Sequence, residues 1–195
     1  MKKSADSSVS LNPVLAERWS PRAFDQSHEI SSQDLTGILE AARWSPSANN
    51  LQPWRFLVGR RGDQTFNSFI KVLSGFNNAW VPNASVLILV AAQTVNADGT
   101  ANPYAQYDAG IASANATTEA HHRGLIVHQI AGFDKDAIAK EFDFPLGLRP
   151  LAILVIGKQL PADSLIDQTL RERELAPRQR VSLNQLVINS DALAF

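Results

Sequence analysis

Two long apolar runs constrain the fold of this chain more than any other feature. The first, SVLILVAA, spans residues 85–92, and the second, LAILVIG, spans residues 151–157. Neither run alternates apolar with polar residues, a pattern typical of strands that are covered on both faces. We therefore expect both runs to be central strands of one sheet.

The segments around these runs predict a mixture of helices and strands. Ser31 with Asp34 resembles a capping box, and apolar residues from Leu35 to Ala42 recur at helical spacing, so a helix is expected over 31–44. A short strand is expected at 54–58, where we place Trp54 in the core. Further helices are expected around 66–73, from about 107 to 123 with Gly124 closing it, from 134 to 142, and over 162–175.

The length, charge and composition exclude several classes of protein. The chain has 195 residues without an internal repeat, which indicates one α+β or α/β domain at 11–195 behind a flexible tail at 1–10. Its 18 basic and 19 acidic side chains nearly cancel, so neither nucleic acid nor a membrane is an expected partner. The absence of cysteine excludes disulfides and thiolate chemistry. With no apolar signal segment at the start, the expected location is cytoplasmic.

Several well-known catalytic and binding motifs are missing. The sequence contains no phosphate-binding glycine loop and no G-x-S-x-G elbow for a serine nucleophile. His121 and His122 are adjacent on an expected helix and point in different directions, with no third ligand at helical spacing. We interpret them as exposed residues of a helix end and predict no metal site.

Two arginine clusters stand at opposite ends of the chain. ERWSPRAF at 17–24 contains Arg18, Ser20 and Arg22, and APRQRVSLNQLV at 176–187 contains Arg178 and Arg180. Residues two apart on an extended backbone point to the same side, so Arg178 and Arg180 can face one anion. Guanidinium groups suit phosphate oxygens, to which Ser20 adds a hydroxyl. Taken alone, such a pair is more often a solvated or salt-bridged surface feature.

A stiff, amide-rich loop separates the first long helix from the first strand. RWSPSANNLQPWRF at 43–56 contains two prolines, two serines, two asparagines and a glutamine. A simple connection needs fewer residues and less hydrogen-bonding capacity. We infer that this loop holds a ligand.

Four segments of the chain, in the same order, resemble the flavin-dependent nitroreductase family. They are NPVLAERWSPRAF at 12–24, AARWSPSANNLQPWRF at 41–56, RGLIVHQIAGFD at 123–134 and PRQRVSLNQLV at 177–187. The resemblance implies a three-layer α/β/α fold of the α+β class, in which helices flank a central mixed sheet. It also implies a homodimer with flavin mononucleotide (FMN) at the dimer interface.

The resemblance assigns the candidate residues to parts of one FMN site. Phosphate contacts are expected from Arg18, Ser20, Arg178 and Arg180, and backbone contacts from Trp19. Arg22 is the expected catalytic residue, because its charge beside the flavin pyrimidine edge stabilises the reduced flavin. The P-S-x-x-N loop, with Pro46, Ser47, Ala48 and Asn50 or Asn49, is expected to contact the partner subunit's flavin. Asn77 is expected to bind the pyrimidine ring, although it also suits a plain turn, and Ile130, Ala131 and Gly132 are expected to lie against the flavin.

The activity implied by the resemblance is electron transfer from NADH or NADPH to a planar acceptor, such as a nitroaromatic compound or a quinone, by a ping-pong mechanism. A short, polar connection at 94–106 predicts an open pocket. Ala131 and Trp80 stand where some relatives have acidic and basic residues, which leaves the choice of substrate open. Alternatives are flavin reduction, dehalogenation or flavin breakdown on the same fold, a flavin-binding protein without turnover, or an α/β domain with surface arginines.

Overall fold

A computed structural model describes residues 3–189 of the chain. In this part the helices and strands follow one another as α1 (Pro13–Glu17), α2 (Ser32–Arg43), β1 (Trp54–Arg60), α3 (Gln64–Lys71), β2 (Val86–Gln93), α4 (Ala105–His122), β3 (Ile126–Ile130), α5 (Lys135–Glu141), β4 (Leu148–Gly157), α6 (Gln168–Leu175) and α7 (Leu183–Leu186). Short 3₁₀ turns occur at Ala48–Asn50, Gly75–Ala79, Val81–Asn83 and Ala162–Ser164.

The four strands form one sheet in the order β1-β2-β4-β3. The two apolar runs are β2 and β4, so the prediction that both are central strands is confirmed. Side chains from Val86 to Ala92 are all buried, as are those from Ile153 to Gly157. Pro150 lies opposite Ala91, where the register between β2 and β4 shifts, because proline cannot donate a ladder hydrogen bond.

Every pair of neighbouring strands in the described sheet is antiparallel. The expectation that the sheet would mix parallel and antiparallel pairs is therefore wrong for the described strands. The reason lies in the path of the chain after β2. Helix α4 returns the chain so that β3 runs parallel to β2, but β4 lies between these two strands and pairs with both in the antiparallel sense.

Helices cover both faces of the sheet, which confirms the three-layer arrangement of the α+β class. On one face, Leu35, Ile38 and Ala42 of α2 pack with a row of alanines from α4. Trp54 of β1 is buried in the same cluster, as predicted. On the other face, side chains of α3, α5 and α6 pack around Phe24 and Trp80, whose rings stack at 5.9 Å.

The helix boundaries follow from local capping contacts. Ser31 accepts a hydrogen bond from the Asp34 backbone N–H at the start of α2, and Gly124 has a φ of +74° just after α4, where a residue with a side chain is strained. The helix expected over 162–175 is shorter than predicted, because Asp167 caps a new helix at Gln168. Within residues 3–189, no helix has both the length and the apolar character needed to cross a bilayer.

Candidate functional site

The two arginine clusters line a single cavity. One wall is the extended segment after α1, and the other is the end of α6 with the chain that follows it. The cavity has a volume of about 220 Å³ and is lined by Lys3, Arg18, Trp19, Ser20, Arg22, Arg173, Ala176, Pro177, Arg178 and Arg180. The structure therefore brings all of the predicted arginines together and adds Lys3 and Arg173, which the sequence analysis did not select.

Part of this arginine cluster also holds the chain in place. Arg178 donates hydrogen bonds from Nη1 to the backbone oxygens of Lys3 (2.7 Å) and Ala16 (2.6 Å), which joins the second cluster to the N-terminal segment. Lys3 donates in turn to the backbone oxygens of Glu174 and Ala176. Its ammonium group lies 4.2 Å from the centre of the Trp19 ring. The Trp19 ring is thereby buried against the protein.

The segment that carries Arg22 is fixed by a buried carboxylate. Glu174 is 1% exposed, and its side chain accepts hydrogen bonds from the backbone N–H groups of Arg22 (2.9 Å) and Ala23 (3.4 Å). Burial raises the pKa of Glu174, while these hydrogen bonds and the charges of Arg22 and Lys3 act in the opposite direction. The Arg22 backbone is therefore held independently of its side chain.

The cavity carries a strong excess of positive charge. Its lining residues include Lys3 and five arginines, and the carboxylate of Glu174 lies behind the Arg22 backbone, although the whole chain has a net charge of −1. Burial lowers the pKa of Arg18, and so do the charges of Arg178 and Arg180. Within residues 3–189, none of these arginines forms an ion pair with a carboxylate, so a salt-bridged surface cluster does not describe them. An anion in the cavity would neutralise this charge.

Two polar groups on this wall lack a hydrogen-bond partner in the described part of the chain. Arg18 Nε is buried without an acceptor, and the Ser20 hydroxyl has no partner among residues 3–189. Leaving a buried donor without an acceptor costs about 1–3 kcal/mol. A phosphate oxygen would satisfy both groups, because it accepts hydrogen bonds and carries negative charge. The residues present therefore fit a phosphate group.

A second group of candidate residues lies where β3 ends. Asn77 donates from Nδ2 to the Gly132 backbone oxygen at 3.1 Å, so the structure joins these two predicted residues directly. A Cβ atom at position 132 would lie 2.8 Å from Asn77 Nδ2, so a larger residue there would displace the Asn77 side chain. Ile130 is buried and Ala131 is exposed. Arg173 connects this group to the cavity, since its guanidinium lies 5.1 Å from the centre of the neighbouring Phe76 ring.

The amide-rich loop lies elsewhere in the chain. Asn49, Asn50 and Gln52 have φ values of 50°, 56° and 48°. These values lie in the left-handed region, which residues other than glycine adopt at a cost in free energy. The loop is bonded to α4, because Ala48 N–H donates to Asp108 Oδ2 at 3.1 Å and Asn115 donates to Ser45 Oγ at 2.7 Å. Pro46 is exposed and Ser47 is half-buried.

The loop and the arginine cavity are associated with opposite ends of α4. The loop is bonded to Asp108 near the start of this helix, whereas the charge of Arg18 acts on His121 in its last turn. These two helical positions are about 20 Å apart, at a rise of about 1.5 Å per residue. Within one chain, the structure therefore does not bring the loop to the arginine cavity.

Comparison with known proteins identifies the family. A sequence model described as "Nitroreductase family" matches residues 15–71 and 59–158. The chain belongs to the nitroreductase family. An uncharacterised 15.4 kDa protein of Mycolicibacterium smegmatis is 41% identical over 140 residues, which are 68% of this chain and 92% of that protein. An oxygen-insensitive NADPH nitroreductase of Helicobacter pylori is 40% identical over 77 residues, 40% of this chain and 36% of that enzyme.

Solved structures of this family share the fold. A crystal structure described as an oxidoreductase containing FMN has a TM-score of 0.88 and 34% identity to this nitroreductase-family chain. The alignment covers 94% of this chain and 93% of that one. The arrangement of helices around the sheet is therefore that of a known FMN-containing relative.

Two histidines of this nitroreductase-family protein lie next to the site. His121 is half-buried and its Nε2 has no partner in the described chain, so the prediction of an exposed residue is wrong for His121 but correct for His122. Burial lowers the pKa of His121 to about 4, and so does the charge of Arg18. His128 donates from Nδ1 to the Pro21 backbone oxygen at 2.9 Å and packs 4.6 Å from Trp80. Among residues 3–189, no group of three or more His, Asp or Glu side chains could hold a metal ion.

Sequence reasoning missed Lys3, Arg173, Glu174 and His128, which all lie in or next to the site. Glu174 is preceded by three other charged residues in RERE at 171–174, so the sequence suggests an exposed helix face. The only available signal was its position four residues before Arg178.

Proposed function

We propose that this chain is an FMN-dependent oxidoreductase that transfers electrons from NADH or NADPH to a small planar acceptor, such as a nitroaromatic compound or a quinone. The observation that carries the proposal is the cavity of clustered arginines, with its unpartnered Arg18 Nε, in a chain of the nitroreductase family. Relatives whose names mention FMN and NADPH support the choice of cofactor and electron donor.

The proposed division of roles follows the geometry of the cavity. Arg18, Ser20, Arg178 and Arg180 would hold the phosphate, because they line one cavity with excess positive charge. Arg22 and Asn77 would face the pyrimidine edge of the flavin, with Gly132 and its two preceding residues against the ring system. The Trp19 ring, packed beneath Lys3, would leave only its backbone for the cofactor.

FMN, when bound, supplies the redox chemistry, by accepting a hydride from the nicotinamide and passing two electrons to the acceptor. The chain itself positions the reactants and provides charge. Arg22 presents a positive charge beside the site from a backbone that Glu174 fixes, and such a preorganised charge favours negative charge that develops nearby. No side chain needs to act as a nucleophile, which fits a protein without cysteine.

The amide-rich loop has a role in this proposal only in a homodimer. Within its own chain, the loop is bonded to a position on α4 that is about 20 Å from the helix end near Arg18. The residues from Pro46 to Asn50 would therefore contact the flavin of the partner subunit instead. The contact with Asp108 would hold this loop in a fixed conformation before dimerisation. A preformed loop loses less entropy on binding.

The absorption spectrum of the purified protein, followed by identification of the released chromophore, tests cofactor binding. We expect an FMN spectrum, and we expect Arg180→Ala to retain less FMN through dialysis. Arg180 is the preferred site, because its described hydrogen bond reaches only its neighbour Gln179, whereas Arg178 also holds the N-terminal segment. Arg149→Ala, at an exposed position of β4, is the matched control. A colourless protein that takes up no added FMN would contradict the proposal.

Turnover is tested separately. The wild-type protein should oxidise NADH or NADPH steadily when a quinone is present, with parallel lines in double-reciprocal plots. Arg22→Ala should retain FMN but slow its reduction in stopped-flow measurements, because the charge is lost while the backbone hydrogen bond to Glu174 remains. Bound FMN without steady turnover would instead identify a flavin-binding protein that is not an efficient enzyme.

A further inference from the structure

Arg173 is the cavity-lining arginine that neither holds the chain together nor has a role in the proposed FMN site. Its side chain is exposed on α6. Among residues 3–189 it forms no hydrogen bond or ion pair, and its one described side-chain contact is with the Phe76 ring, 5.1 Å away. By contrast, Lys3 and Arg178 each donate to two backbone oxygens. The charge of Arg173 is therefore available to a ligand.

The position of Arg173 places this charge at the ring end of the site. Phe76 immediately precedes Asn77, which is bonded to Gly132. Arg173 is also close enough to Arg22 for its positive charge to lower the pKa of the Arg22 guanidinium. Arg173 therefore lies near both Arg22 and the turn that carries Asn77, the two residues assigned to the pyrimidine edge.

Phe76 supplies an apolar surface beside this charge. Its side chain is 55% exposed, although it lies in a 3₁₀ turn next to the core residues Leu73 and Trp80. An exposed aromatic face can stack on a planar ring, and a guanidinium can bind a carboxylate or phosphate through paired hydrogen bonds. The two side chains together suit an aromatic ring that carries an anionic group.

The number of charges supports a second anionic ligand. An FMN phosphate carries about two negative charges, whereas six cationic side chains line the cavity and the carboxylate of Glu174 beside it offsets one of them. A positive charge thus remains after FMN binds. We propose that Arg173 and Phe76 form a rim subsite that selects second substrates in which an anionic group accompanies an aromatic ring.

This inference rests on the proposed function, and two substrates have the required chemistry. One is a nicotinamide dinucleotide with the additional phosphate of NADPH. The other is an acceptor with a carboxylate on its ring. The test uses two matched pairs, NADPH against NADH with a neutral quinone as acceptor, and para-nitrobenzoate against para-nitrobenzamide with NADH as donor.

The experiment compares kcat/KM for these pairs in the wild type, Arg173→Gln and Arg173→Lys. We expect Arg173→Gln to reduce kcat/KM by about three- to tenfold for NADPH or for para-nitrobenzoate, the members that carry the additional anionic group, as for one partly exposed charged contact. NADH and para-nitrobenzamide, which lack that group, should be little affected. Arg173→Lys should restore part of the preference. Added salt should weaken it in the wild type, because salt screens exposed charges.

The pair that responds identifies the source of the anionic group. Arg149→Gln removes an exposed arginine from β4 and controls for a general change in charge. Equal ratios for both pairs in the wild type and Arg173→Gln would overturn the rim subsite while leaving the proposed activity intact. A wild-type protein without FMN or NAD(P)H oxidation would overturn both.

Discussion

Glu174 is the residue on which the geometry of the arginine cavity most depends. Its carboxylate holds the backbone of Arg22 and Ala23, and its own backbone oxygen accepts from Lys3. Through its side chain and its backbone, this one residue of α6 thus contacts both the Arg22 segment and the N-terminal segment. Removing it would leave two backbone N–H groups without an acceptor.

We expect Glu174→Ala to lower the free energy of unfolding by about 2–4 kcal/mol, since each unsatisfied buried donor costs about 1–3 kcal/mol. Urea unfolding at pH 7 measures this loss. Glu172→Ala on the same helix removes an exposed carboxylate and should change stability by less than about 0.5 kcal/mol. Equal stability of the two variants would show that Glu174 does not hold the Arg22 segment.

His128 makes the stability of the protein depend on pH. Burial lowers the pKa of His128 to about 4; the hydrogen bond to Pro21 opposes this shift, and the charges of Arg22 and Arg18 add to it. In the unfolded chain the pKa is about 6.5. Between pH 4 and pH 6.5 the unfolded state therefore binds more protons than the folded state. The stabilising contribution of neutral His128 is complete above pH 6.5 and is lost as the pH falls towards 4.

His128→Gln should reduce this dependence on pH, because an amide can still donate to the Pro21 oxygen but does not titrate. Between pH 7 and pH 4.5, the wild type should lose about 2 kcal/mol more than the variant. Urea unfolding at both pH values measures the difference, and other groups such as Glu174 are common to both proteins. His122→Gln, at an exposed position, should behave like the wild type. Parallel losses in wild type and His128→Gln would contradict the prediction.

The residues of the site were only partly predictable from sequence. The resemblance selected every arginine of the cavity except Arg173, and it selected Asn77 and Gly132, which the structure places in contact. Glu174, Lys3 and His128 could not be found in this way. Their importance comes from backbone oxygens and N–H groups that they bind across the fold, and a sequence pattern contains no information on such partners.

Element boundaries were predictable where the local sequence determines them. The two apolar runs correctly predicted β2 and β4, and the capping contact of Ser31 correctly predicted the start of α2. Strand β3 was not predicted, because its five residues, IVHQI, include His128 and Gln129, which interrupt the apolar run. His128 is half-buried only because Pro21 and Trp80 come from distant parts of the chain.

Helix α4 is the element that joins the loop to the rest of the protein. Asp108 is 3% exposed and accepts from the Ala48 backbone N–H, and Asn115 donates to Ser45. The loop contains three non-glycine residues with positive φ, each of which costs about 1–3 kcal/mol. Contacts with α4 are therefore needed to maintain its conformation.

We expect Asp108→Ala to release this loop. The free energy of unfolding should fall by about 1–2 kcal/mol through the lost hydrogen bond, and proteolysis between residues 44 and 53 should become faster. Thr118→Ala on the same helix is the control, because that hydroxyl bonds only within α4 to Ala114. Unchanged proteolysis in Asp108→Ala would mean that the loop keeps its conformation without α4.

At the scale of the whole molecule, three exposed aromatic side chains lie on or beside the elements that carry this loop. Trp44 is 75% exposed, Tyr107 is 72% exposed and Tyr104 is 58% exposed. Trp44 immediately follows α2, and the two tyrosines lie at the start of α4, the helix that binds the loop. An exposed aromatic group of this kind is typical of a protein–protein interface.

The proposed homodimer accounts for both the aromatic surface and the separation of the loop from the arginine cavity. We expect light scattering to give twice the chain mass of 21.3 kDa, and we expect Tyr107→Asp to shift the protein towards the monomer, because a buried unpaired charge is costly. If the loop acts across the interface, the variant should also bind FMN more weakly. Ile166→Asp, at a site that is 97% exposed before α6, should retain both properties. A monomeric wild type that binds FMN tightly would show that one chain completes the site and that the loop has another role.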